Sequence, residues 1–139
     1  MSRVLGLDLG SRRIGVAVSD PTGTLASPYD VVERSPQSHE KIRRIVEEVE
    51  AERVVVGLPL SPSGADGPAA TAAREEAGVL AASLPVPVEL YDERLTTVSA
   101  NRSMMELNMK ADARKRVVDK VAAAVMLQSW LESQGSQRD

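Results

Sequence analysis

Residues 3–20 read RVLGLDLGSRRIGVAVSD. The first seven, RVLGLDL, are short and apolar on both faces, the pattern of a central strand covered from both sides. Residues 14–19 (IGVAVS) make a second such strand, and the turn at 10–13 is short enough for a hairpin. Asp20-Pro21-Thr22-Gly23 puts proline and glycine where a type I turn accepts them, so a third strand is expected near residues 25–33. The chain therefore opens as a three-strand antiparallel meander.

Beyond the meander the period changes. Ser35 followed by Pro36 reads as a helix cap with proline in the first turn, and Ile42, Ile45, Val46 and Val49 then recur at helical spacing. Residues 53–58 (RVVVGL) form a continuous apolar run, a strand buried on both sides. The Gly/Pro/Ser-rich loop 59–70 follows its carboxyl end, and an Ala-rich helix runs to about Ser83. Val86, Val88 and Leu90 alternate, and Pro87 marks an edge strand because it lacks one donor. Thr96 or Thr97 caps a helix to about Leu107, and the polar stretch 108–112 leads into a last helix carrying Val117, Val118, Val121, Val125 and Trp130. Together these predict an α/β fold: a mixed five-stranded sheet, three strands in the meander and two parallel, with helices on both faces. Residues 1–131 are expected to form one domain and 132–139 a polar, disordered tail.

The 139 residues are 42% hydrophobic and 27% charged, the balance of a folded domain. With no Phe, one Trp and two Tyr, the core must be aliphatic. The absence of Cys removes disulfides, thiolate chemistry and sulfur-bound zinc. No apolar run approaches a membrane span and the N-terminus reads as a strand, so no membrane partner and a cytoplasmic location are expected. Net charge is −3, yet Lys110, Arg114, Lys115, Arg116 and Lys120 cluster with only Asp112 and Asp119 between them. Such a local basic patch can grip phosphates even on an acidic body; a solvated helix start is the plainer reading.

Three carboxylates stand in unusual places. Asp8 lies inside an apolar strand, where an ionised group is costly without a cation, hydrogen bonds or water. Asp119 has Ala122, Ala123 and Met126 as helical neighbours, so it faces inward over a stripe of small and apolar residues. Glu93 falls just after the edge strand, where strands of parallel sheets place functional groups. Convergence of the three on one spot would suit Mg²⁺ or Mn²⁺ and phosphodiester cleavage. Individually each has a structural alternative: Asp8 ending a strand, Glu93 paired with Arg94, Asp119 with Lys115 or Arg116. Without a metal such a cluster should repel itself, so neutralising Asp119 is expected to stabilise the chain.

Four blocks, GLDLGSRRIGVAVSD (6–20), VVVGLPLSPSGADGP (54–68), DERLTT (92–97) and VVDKVAAAVMLQSWL (117–131), together resemble the YqgF/RuvX family. The resemblance implies an RNase H-like fold and a nuclease, with Asp8, Glu93 and Asp119 as the catalytic, metal-binding triad. It also implies maturation of the 5′ end of small-subunit (16S) ribosomal RNA, in contact with nucleic acid and a ribosomal precursor particle, or resolution of Holliday junctions in branched DNA. Monomer and homodimer both remain open, a junction resolvase expecting a two-fold dimer.

Smaller expectations attach to other residues. Arg12, Arg13 and Arg94, with Arg114, Lys115 and Arg116, are candidate phosphate contacts; Arg94 could instead hold Glu93. Gly10 and Gly15 either admit a phosphate to the backbone or simply serve the turn. The Gly64–Gly67 loop is a flap or a connector. His39 reads as a solvated surface residue and Trp130 as core. Two rivals come from other classes. A sugar-kinase or chaperone-type ATPase also opens with Asp-x-Gly and a hairpin, but closes its nucleotide between two domains. A non-catalytic RNA- or ribosome-binding module would have no use for three converging carboxylates.

Overall fold

The computed structural model describes residues 3–95 and 112–138, and within the last helix the side chains of 116–135. Its elements are β1 (Arg3–Leu9), β2 (Arg13–Ser19), β3 (Ala26–Glu33), α1 (Ser38–Glu48), β4 (Ala51–Leu58), α2 (Pro68–Ser83), β5 (Val88–Asp92), a 3-10 turn (Glu93–Leu95) and α3 (Asp112–Arg138). The expected helix over 96–107 and the polar break after it lie outside the described residues.

The five strands form one sheet in the order β3-β2-β1-β4-β5. β1–β2 and β2–β3 are antiparallel, β1–β4 and β4–β5 parallel, which is the expected meander extended by two parallel strands. β1 is central because it is apolar on both faces, and each face meets a different layer. Leu5, Leu7, Ile14, Val16, Val54 and Val56 pack against Ile42, Ile45 and Val46 of α1 and Ala77 and Leu80 of α2. On the opposite face Val4, Ala17 and Val55 meet Ala122, Ala123, Met126, Leu127 and Trp130 of α3. Aliphatic burial on both sides supplies the main stabilisation of such a three-layer core. Pro87 lies at the edge: its carbonyl accepts from Val54 N at 2.9 Å, and among the described residues β5 pairs only with β4.

The first helix starts later than the Ser35-Pro36 signal suggested. Gln37 N donates to Ser35 Oγ at 3.1 Å and Ser38 N to the Ser35 carbonyl at 3.1 Å, so Ser35 closes a separate turn and α1 begins at Ser38. The end of the chain also differs. Helix α3 continues through Arg138, so the polar segment after Leu131 is helical rather than an irregular tail. Within it Ser133 Oγ donates back to the Trp130 carbonyl at 2.6 Å. Among the described residues no helix is long and apolar enough to cross a membrane.

Candidate active site

Side chains alternate along a strand, so on β1 Val4, Gly6 and Asp8 share the α3 face. Asp8 thus stands at the carboxyl end of the central strand, beneath α3, and is only 7% exposed. Its two neighbours across the sheet are both glycines. Gly15 of β2 is its register partner. Gly57 of β4 follows Val56, the partner of Leu7. A Cβ on Gly15 would stand 2.6 Å from the carbonyl carbon of Asp119 and closer still to its oxygen. A Cβ on Gly57 would stand 2.5 Å from Glu93 Oε1. The row Gly15–Asp8–Gly57 therefore carries the helix backbone at Asp119 over one glycine and the Glu93 carboxylate over the other. Three residues far apart in sequence meet on one face at one end of the sheet.

The side chain of Asp119 is directed by Arg13. Arg13 Nε donates to Asp119 Oδ2 at 2.8 Å, with the two side chains 13% and 18% exposed. Arg116, one of the alternative partners expected for Asp119, pairs with Glu33 at 2.9 Å. Arg13, expected as a phosphate contact, lies on β2, two residues before Gly15, on the α3 face. No local signal pairs residues 106 positions apart; only the strand register brings Arg13 beside the helix. Among the described residues no three Asp, Glu or His side chains already stand at the spacing of a metal cage.

Other expected contacts fall differently. Arg12 is exposed at the hairpin turn, beyond the carboxyl end of β1. Arg94 does not hold Glu93. Its Nε and Nη2 donate to Asp92, at 2.7 Å for Nη2–Oδ2, and its Nη1 to the Pro62 carbonyl at 3.3 Å. These hydrogen bonds keep the Asp92 carboxyl below its ordinary value and hold the Arg94 guanidinium above its own. Gly64, with φ at 88°, comes against that same guanidinium, so the loop after β4 is clasped to the 3-10 turn. The Gly10 amide bonds the Arg13 carbonyl at 3.1 Å, and Gly15 admits α3. His39, expected as a solvated surface residue, is partly exposed and has a partner. Its Nε2 lies 2.7 Å from Glu76 Oε2, and Glu76 also receives Arg34. Trp130 is core, as expected, with Nε1 donating to Glu89 at 2.8 Å. The side chains of Arg114 and Lys115 lie outside the described residues.

The donors offered by Asp8, Glu93 and Asp119 are all carboxylate oxygens, hard ligands that fit Mg²⁺ or Mn²⁺ and not a soft metal. Two glycine cradles either side of a buried aspartate are also what such a site needs, since any side chain there would displace a ligand.

Comparison with known proteins gives the family and the fold. Residues 2–133 match the model of the family described as RuvX: Holliday junction resolvase. A relative from Pelotomaculum thermopropionicum, named as a candidate pre-16S rRNA nuclease, is 46% identical over 139 residues, covering 98% of this chain and 90% of its own. One of the same name from Mycobacterium sp. (strain KMS) is 48% identical over 94% of this chain and 79% of its own. Among solved structures, Thermus thermophilus RuvC in complex with a Holliday junction substrate superposes with a TM-score of 0.59 at 17% identity, covering 98% of this chain and 97% of that one. The fowlpox virus Holliday junction resolvase gives 0.52 at 11% identity, with 95% and 99% covered. At such identities these two bear on the fold alone, which is the RNase H-like fold of RuvC-type resolvases. The sugar-kinase and ATPase reading falls away, and the chain belongs to the RuvX family of nucleases, hydrolases of phosphodiester bonds.

Proposed function

We propose that this nuclease holds Mg²⁺ or Mn²⁺ on Asp8, Glu93 and Asp119 and hydrolyses phosphodiester bonds at the 5′ end of the pre-16S ribosomal RNA, in the cytoplasm, on the RNA or its precursor particle. The observation that carries the reading is the row Gly15–Asp8–Gly57, which leads a helix and a sheet edge to one buried aspartate. A divalent cation bound there supplies Lewis-acid stabilisation of phosphoryl oxygen and a more acidic water. The chain itself supplies position. Asp8 is fixed by the central strand, Asp119 by α3 and Arg13, and Glu93 by the turn that ends β5. Substrate grip falls to Arg12 and the basic segment with Arg114, Lys115 and Arg116, acting on phosphates. Base stacking has little to work with: Tyr91 Oη bonds Ser129, Tyr29 bonds Glu48, and Trp130 is buried. The substrate assignment follows the names of the relatives.

A second reading, cleavage of four-way DNA junctions, is favoured by the description of the matched family. It requires paired, symmetric cuts and hence a two-fold dimer. The test offers the purified protein a 5′-extended 16S precursor RNA and a four-way DNA junction, each with Mg²⁺ or EDTA, beside Asp8→Asn. Cleavage of the RNA only, dependent on Mg²⁺ and lost in the variant, is the expected result. Symmetric junction cleavage by a dimer would favour the second reading. Full activity in EDTA or in Asp8→Asn would overturn the carboxylate site.

A further inference from the structure

We infer that Arg13 is a positioning residue for Asp119, and that through this carboxylate it sets the affinity of the site for its divalent cation; the inference rests on the carboxylate site proposed above. Gly15 lets α3 approach until the Asp119 main chain touches β2, which fixes where the Asp119 side chain starts but not where it points. Arg13 lies two residues along the same strand on the same face, and Gly10 N bonds its carbonyl at the carboxyl end of β1. Its Nε takes Asp119 Oδ2 at 2.8 Å. The carboxylate is thereby held along β2, at the end of the sheet where Gly15 pairs with Asp8.

Both partners are mostly buried, at 13% and 18% exposed, so solvent screens the pair little and the orientation is held strongly. An ionised carboxylate offers about four lone-pair sites, so a guanidinium donating to it still allows a cation to share the group. Partners standing behind metal ligands in this way raise affinity by fixing ligand direction. Coulomb attraction alone forecasts the reverse. Arg13 is a positive charge beside a cation site, so its removal would tighten binding if charge were all that mattered. The sign of the effect therefore separates positioning from mere charge.

The experiment measures Mn²⁺ binding to the full chain by electron paramagnetic resonance of the free ion, with no turnover involved. Wild type, Arg13→Gln, Arg13→Lys, Asp119→Asn and Arg13→Gln/Asp119→Asn are compared, each checked for folding by circular dichroism. Arg13→Gln is expected to weaken Mn²⁺ about 10- to 100-fold, and Arg13→Lys less. In the Asp119→Asn background the Arg13 change should have little further effect, because its action runs through that carboxylate. Added methylguanidinium should recover part of the loss in Arg13→Gln. Binding in Arg13→Gln equal to or tighter than wild type overturns the inference, as does a full Arg13 effect without Asp119. If Arg13→Gln fails to fold, Arg13→Lys keeps the charge and alters the donor, so weaker binding supports positioning and unchanged or tighter binding overturns it. A wild-type chain that binds no Mn²⁺ overturns the carboxylate site itself, and the inference with it.

Discussion

At Asp119 the charge has two opposing effects on stability. In the proposed site three carboxylates would repel, and on that account Asn at 119 would relieve the fold. The ion pair with Arg13 works the other way, because Asn would remove a counter-charge from a guanidinium only 13% exposed. Breaking one side of a mostly buried pair costs more than relaxing repulsion that water and nearby donors already soften. Asp119→Asn is therefore expected to lower stability in EDTA by about 1–3 kcal/mol at neutral pH. That reverses the sign expected from the acidic residues alone. Thermal or urea melts of the two proteins in EDTA check it, and a variant that melts above wild type would mean that repulsion dominates. The reversal marks the limit of what single residues reveal. Asp8 and Asp119 were legible as anomalies, a carboxylate in an apolar strand and one on an alanine-lined helix, whereas Glu93 stood out only by its place after the edge strand. The partner of Asp119 was not legible, since the Arg13–Asp119 contact arises from strand register and helix placement together.

Among the elements, α3 on β1 and β2 carries the site, and the glycines beneath it make two separable predictions. The obstacle at Gly15 is main chain: a Cβ would press on the backbone of Asp119, which cannot yield without moving the helix. At Gly57 the obstacle is the end of a flexible side chain, Glu93 Oε1 at 2.5 Å. Gly15→Ala should thus cost about 1–3 kcal/mol of stability and most activity, because the helix must shift. Gly57→Ala should melt close to wild type and still lose activity, because Glu93 alone is pushed aside. Denaturation midpoints and nuclease rates on the same preparations distinguish the two, and equal stability losses would contradict these distinct roles of the cradles. Among the described residues the helices and strands were legible from period and turn chemistry. The differences came at their ends: the Ser35 hydroxyl closed its own turn ahead of α1, and α3 runs on past Leu131.

Over the whole molecule the sequence order of strands and helices was enough to assemble the sheet, since short connections and two apolar faces leave few arrangements for β1. Charge was less legible. The basic cluster stood out in the chain, but the structure engages Arg116 with Glu33, so its share in substrate binding must compete with that pair. Replacing Arg114, Lys115 and Arg116 by Gln should flatten the slope of log affinity against log salt by about 2–3 units if all three contact phosphate. An unchanged slope would leave them as a solvated helix start. On the face away from the acidic row, Glu76 of α2 ties together Arg34 after β3 and His39 of α1, at 2.6 and 2.7 Å. Burial alone would raise the Glu76 carboxyl, but hydrogen bonds from Arg34 and His39, with their charges, outweigh it and hold the group below its ordinary 4.5. A carboxyl depressed in the folded state contributes stability that is fully present above 4.5 and is lost as pH falls through the folded value. Glu76→Gln should therefore melt lower than wild type at pH 7, and the gap should close progressively once pH drops below 4.5. Activity per folded molecule at neutral pH should be unaffected, since the network touches none of the three site carboxylates. Melts of both proteins from pH 7 down to the acid limit test this, and a gap that stays constant through that range would show that Glu76 contributes by packing and not by its charge.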